Sequence, residues 1–117
     1  MPMQWSEKIV VCDLRDEPEL SEELNELHAE LAQRKDTDVP NVILNMDAVS
    51  YVNSSNIAQL LRVRRRLLET KQSMRLAAVA DGVWSIMLLT GLDKVFDFAP
   101  DKATAIAGFQ IDNGDQA

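Results

Sequence analysis

The sequence predicts a single-domain α/β fold, a largely parallel sheet with helices packed on it. Three observations carry this. Strand-like apolar runs alternate with helix-period segments through the second half, which calls for right-handed βαβ crossovers. The 117 residues are enough for one domain to bury a core without disulfides or a structural metal. Finally, 46% hydrophobic and 26% charged residues are the proportions of an ordinary globular chain, and the 5% aromatic share points to aliphatic packing.

Ile9 to Leu14 is short, apolar and rich in β-branched residues, so it reads as a strand, paired with Met3 to Trp5 through Ser6-Glu7. A helix follows, with Asp16 as N-cap, Pro18 in the first turn and Glu19 as the capping-box acid; Leu20, Leu24, Leu27 and Leu31 form its core stripe. The polar stretch Arg34 to Asp38 reads as a surface loop, and Pro40 leads into a strand from Asn41 to Met46. After Asp47 to Val52, a long helical pattern places Ile57, Leu60, Leu61, Leu67 and Leu68 on one face, with Ser54 or Ser55 as N-cap. Met74 to Ala80 reads as a strand, Asp81-Gly82 to Thr90 as a helix closed by Gly91, and Val95 to Phe98 as a short last strand. A final helix opens at Pro100-Asp101 and runs to about Phe109. The domain is thus expected over residues 1–111, with 112–117 a flexible polar tail.

Composition excludes several function classes. A net charge of −7 argues against nucleic acid as a general partner. Arg62, Arg64, Arg65 and Arg66 run against that balance and read as a solvated helix face, with a docking patch for an acidic partner as the alternative use. No run reaches the roughly 20 apolar residues of a membrane span, and the first residues lack a basic region followed by an apolar one, so no membrane insertion and a cytoplasmic location are expected. Cys12 lies alone in an apolar run and reads as a buried strand residue of a reducing compartment. With one histidine, His28, read as a surface residue, and one cysteine, neither a metal site nor a catalytic triad can be assembled; the glycines form no phosphate loop. No cofactor is expected.

What remains is Asn53-Ser54-Ser55-Asn56, between a strand and a helix. A loop at the carboxyl end of a parallel strand is where α/β sheets build sites. A hydroxyl there serves as a helix cap, and the same helix terminus, with unpaired amides and positive dipole, suits a phosphate on Ser55. Phosphorylation would add about −1.5 to −2 charge at one surface point. In the helix after Gly82, Val83, Ile86, Met87 and Thr90 share one face, which puts Trp84 and Leu88 together on the other. Either this pair packs beneath the neighbouring helix or the N-terminal strand, or it forms an exposed partner surface.

The run Val42-Ile43-Leu44-Asn45-Met46-Asp47 through Asn53-Ser54-Ser55-Asn56-Ile57 to Leu61 resembles the strand, serine loop and helix of the STAS domain, the family of bacterial anti-sigma-factor antagonists. Thr90-Gly91-Leu92-Asp93-Lys94-Val95-Phe96 resembles a second family motif at the family's spacing. The resemblance implies four or five strands flanked by about four helices, and a non-enzymatic module that sequesters an anti-sigma factor, itself a serine kinase, and so frees a sigma factor. It implies phosphorylation of Ser55, reset by a phosphatase, with the surface around Asn53, Ser54, Ser55 and Asn56 as the docking site; the periodicity of the helix after Gly82 adds Trp84 and Leu88 as expected partner-binding residues. A monomer or weak dimer is expected. Asn45, Asn53 and Asn56 stand where the family has aspartate, aspartate and glycine. The alternative is therefore a constitutive, unphosphorylated STAS subunit of a signalling scaffold or lipid-transport complex. An enzyme using Ser55 as nucleophile would lack a general base.

Overall fold

The computed structural model describes residues 3–115, with side chains placed through residue 111. Five strands, β1 (Met3–Trp5), β2 (Ile9–Arg15), β3 (Asn41–Ala48), β4 (Met74–Ala77) and β5 (Asp97–Ala99), form one sheet in sequence order. β1 pairs antiparallel to β2, and the remaining pairs are parallel. Each parallel pair is bridged by a helix: α1 (Glu19–Gln33), α2 (Ser54–Glu69) and α3 (Asp81–Thr90); α4 (Lys102–Asp115) follows β5.

Because every crossover advances the sheet in the same direction with the same hand, α1, α2 and α3 fall on one face. Val10, Cys12, Leu14, Val42, Leu44, Met46 and Leu76 point to that face and meet Leu20, Leu24, Leu27 and Leu31 of α1, Leu60, Val63 and Leu67 of α2, and Val83 and Met87 of α3. The alternate residues Val11, Ile43 and Ala77 point the other way, against Ala105 and Phe109 of α4. Burial on both faces is why β2 and β3 read as unbroken apolar runs rather than alternating ones. Cys12 is fully buried there, and burial pushes its thiol up to about 12, which leaves it unreactive.

The structure moves several boundaries. β3 continues to Ala48, β4 stops at Ala77 before the positive φ of Ala78, and Leu92–Lys94 forms a 3-10 turn so that β5 starts at Asp97. A second 3-10 turn, Asp36–Asp38, occupies the expected loop. α4 runs on to Asp115, through the first part of the stretch expected to be tail, while residues 116–117 lie outside the described residues. α1 is not capped by Asp16: Glu17 accepts from the Ser21 amide at 2.7 Å, and Asp16 is used elsewhere.

One face was misassigned. Leu61 and Leu68 are 37% and 56% exposed, whereas Asn56, Gln59, Leu60, Val63 and Leu67 are buried. At 100° per residue, each outward leucine lies one step past an inward one, and the inward places closest to the N-terminus go to two carboxamides.

Gly91 closes α3 at φ 75°, its amide donating to the Leu88 carbonyl. A Cβ at that position would meet nothing within 4 Å, so Gly91→Ala isolates the backbone cost. Urea unfolding should show a loss of about 1 kcal/mol; an unchanged midpoint would contradict the left-handed cap.

Candidate functional site at the serine loop

Asn53, not either serine, caps α2. Its Oδ1 accepts from the Asn56 amide at 2.8 Å, and Asn56 Oδ1 accepts from the Asn53 amide at 3.0 Å, a reciprocal capping box built from two asparagines. Ser54 and Ser55 are therefore the first two helical residues. Both are exposed, and neither hydroxyl nor either amide has a hydrogen-bond partner among the described residues. No acidic residue lies in the first turn of α2, so the positive end of the helix dipole meets solvent at these two serines.

Beneath them, Asn56 is 0% exposed. Its Nδ2 donates toward Glu17 at 3.2 Å, Gln59 Oε1 at 3.3 Å and Ser21 Oγ at 3.4 Å. Gln59 Nε2 in turn donates to the Ser21 carbonyl at 3.0 Å and Asn25 Oδ1 at 2.9 Å. The start of α2 is thus fastened to the start of α1 by a polar seam. Asn56, expected among the surface residues of the loop, is instead buried beneath the two serines.

The preceding loop is clasped from β2. Asp16 accepts from the Ser50 amide at 2.8 Å and from its hydroxyl at 2.7 Å. Asp16 reaches Ser50 because the register between β2 and β3 slips after Asp13. One pair further back, Asn45 Nδ2 donates to Asp13 at 2.8 Å and Lys102 of α4 pairs with the same carboxylate at 3.1 Å. A negative charge thus stands at Asp13, directly beside the amide of Asn45.

The far side of the loop meets α3. Gly82 packs so closely that a Cβ there would lie 3.2 Å from the Ser50 carbonyl oxygen. Two residues on, Trp84 stands edge-on to Phe98, ring centroids 5.0 Å apart, yet stays 37% exposed, with Leu88 52% exposed one turn further. Trp84 thus packs against Phe98 of β5, an element not expected as its partner, and stays partly exposed. Tyr51 is 62% exposed within the loop itself, a position that helical periodicity does not reach. Glu17, Ser21 and Asp16 were missed as site supports because they lie more than 30 residues away in sequence; only the chemistry of the loop, rich in groups needing partners, signalled that such supports must exist.

The arrangement is thus a mixed sheet with three helices on one face and a clamped serine pair at a strand-to-helix junction. A family model of the STAS domain matches residues 13–105, and the chain belongs to that family. Solved structures agree on the fold. A STAS domain protein from Planctomyces limnophilus, an anti-sigma-factor antagonist, is 18% identical with a TM-score of 0.76, over 91% of this chain and 94% of that one. A putative anti-sigma factor antagonist from Thermotoga maritima is 13% identical with a TM-score of 0.75, over 92% of each chain. The anti-sigma factor antagonist SpoIIAA in its unphosphorylated form is 15% identical with a TM-score of 0.66, over 93% of this chain and 94% of that one. The curated proteins yield no match.

Asn56→Ala removes the Asn56 side-chain bonds of the seam, leaving those of Gln59 to Ser21 and Asn25, and takes one donor from Glu17 and one from Gln59 Oε1. A loss of about 1–3 kcal/mol is expected in denaturant unfolding, against a few tenths for Ser54→Ala; equal effects would contradict the clamp.

The carboxyls around the loop also set an acid dependence. Ser50 holds Asp16 below the usual carboxylate range, Ser21 does so for Glu17, and the Asn45 amide followed by Lys102 does so for Asp13. Folded, these groups bind protons less readily than unfolded, so their stabilisation is complete above their unfolded values near pH 4 and is lost as pH falls through the folded ones. Thermal melts should show a midpoint falling below about pH 4, less steeply in Asp16→Asn than in the wild type. A slope unchanged by that substitution would contradict the clasp.

Proposed function

We propose that this chain is an anti-sigma-factor antagonist whose binding is switched off by phosphorylation of Ser55. The observation that carries this reading is the exposed, unpartnered Ser55 hydroxyl in the first turn of α2, at the position where the STAS family resemblance places a phosphoacceptor. A phosphate there has the free amides of Ser54 and Ser55 and the helix dipole to receive it. It also brings about −1.5 to −2 charge to the exposed start of α2, one residue before Asn56, whose side chain bonds Glu17. A partner seated on the serine end of α2 in the unphosphorylated state is expelled by charge and bulk. The partner is a kinase-type anti-sigma factor in the cytoplasm, and a phosphatase restores binding.

A second reading keeps the surface and drops the switch. Asn45 and Asn53 replace two family aspartates, and both are committed to structure here, Asn53 as the α2 cap and Asn45 as donor to Asp13. On this reading the domain is a constitutive subunit that holds its partner regardless of ATP.

Incubation with the kinase-type anti-sigma factor of the same genome and ATP, followed by mass spectrometry, separates the two. The wild type should gain one phosphate and release the partner, with affinity falling at least about tenfold, roughly 1.4 kcal/mol; Ser55→Ala should stay unmodified and bound. Phosphate retained by Ser55→Ala would defeat the site assignment, and tight binding with no phosphate on either protein would establish the constitutive subunit.

A further inference from the structure

α2 carries more positive charge than its own fold uses. In a chain of net charge −7, this one helix bears Arg62, Arg64, Arg65 and Arg66. Arg66 is tied into the structure: it donates to the Leu31 and Arg34 carbonyls at 3.0 and 2.7 Å, and to Asp36 and Glu69 at 3.0 and 3.4 Å. Arg62, Arg64 and Arg65 have neither an ion pair nor a hydrogen bond among the described residues. Acids are abundant on the adjacent α1, at Glu19, Glu22, Glu26 and Glu30, yet the α1 residues that share a groove with Arg62 and Arg65 are His28 and Ala32. That open groove, about 380 Å³, is also lined by Arg66 and Glu69.

The two exposed leucines of α2 lie beside these cations. Leu61, Arg64, Arg65 and Leu68 follow the i, i+3, i+4, i+7 spacing of a single helical stripe, pointing away from the core. An apolar pair flanked by unpaired guanidinium groups is complementary to a helix with an apolar seam flanked by carboxylates. We propose that the outer face of α2, with the groove it shares with α1, docks an acidic amphipathic helix of a partner protein. Charge complementarity selects this occupant. The face is positive only over about two helical turns within a strongly acidic molecule, so a polyanion or anionic bilayer extending beyond it meets repulsion, whereas a short acidic helix does not. The proposal does not depend on Ser55, which lies at the other end of α2, so phosphorylation can fail with this surface intact.

The test uses the full chain, isotopically labelled, and a synthetic helical peptide of Glu, Leu and Ala with its leucines in one stripe. Titration followed by NMR should give shifts confined to α2 and the facing part of α1. Raising salt from about 0.05 to about 0.5 M should weaken binding at least tenfold. Arg62→Ala/Arg65→Ala and Leu61→Ala/Leu68→Ala should each weaken it about tenfold with unchanged melting. A peptide of the same composition with scrambled leucines should bind less tightly. Several results would overturn the proposal: no saturable binding, binding indifferent to both double variants, or tighter binding of duplex DNA or of phosphatidylglycerol vesicles than of the peptide. A concentration-dependent dimer in sedimentation that Arg62→Ala/Arg65→Ala abolishes would likewise overturn it and assign the face to a second copy of the chain.

Discussion

The Asn56 side chain is the joint on which the serine loop depends. A buried carboxamide is costly unless its donors and acceptor are used. Here Oδ1 receives the Asn53 amide, and Nδ2 is shared among Glu17, Ser21 and Gln59. One residue thereby fixes the N-terminus of α2, the last residue of the loop and the entry into α1. Further along the same interface, Leu24, Leu27 and Leu31 meet Leu60, Val63 and Leu67, and at the far end Arg66 bonds the carbonyls of Leu31 and Arg34. The pair of helices is thus apolar in the middle and hydrogen-bonded at both ends. Apolar packing supplies most of the affinity between them, and the polar ends fix their register.

Much of this was legible in the sequence. The stripe Leu20, Leu24, Leu27, Leu31, the apolar runs of β2 and β3, and Gly91 at the end of α3 each obey a local rule, so each was placed correctly. The cap of α2 was not, because Asn53, Ser54 and Ser55 are all good caps and local chemistry does not rank them. The decision belongs to Asn56, which must sit at the third helical position to turn inward, and that requirement comes from α1. Asp16 shows the same limit: its spacing to Glu19 imitates a capping box, while the slipped register of β2 and β3 gives it to Ser50. The leucines of α2 misled for a simpler reason. Hydrophobicity alone assigns Leu61 and Leu68 to the core, and nothing local reveals that Asn56 and Gln59 take inward places.

The consequence for function is that the loop presents its serines without spending them. Asparagines cap and clamp, Asp16 and Glu17 brace from the connection between β2 and α1, and the Ser54 and Ser55 hydroxyls are left in solvent at a helix terminus. α2 accordingly has two outward regions of different chemistry, a serine end with unpaired amides and an arginine-leucine flank. Membership in the STAS family accounts for the scaffold; Asn53 and Asn56 are what hold the loop in place in this chain.

Amide hydrogen exchange at Asn53, compared between the wild type and Asn56→Gly, tests the clamp most directly. With Asn56 in place, the Asn53 amide donates to a buried oxygen and should exchange slowly, while in Asn56→Gly it should exchange at least about tenfold faster with the β2 and β3 amides unchanged. Free exchange of the Asn53 amide in the wild type, or equal protection in both proteins, would contradict the account.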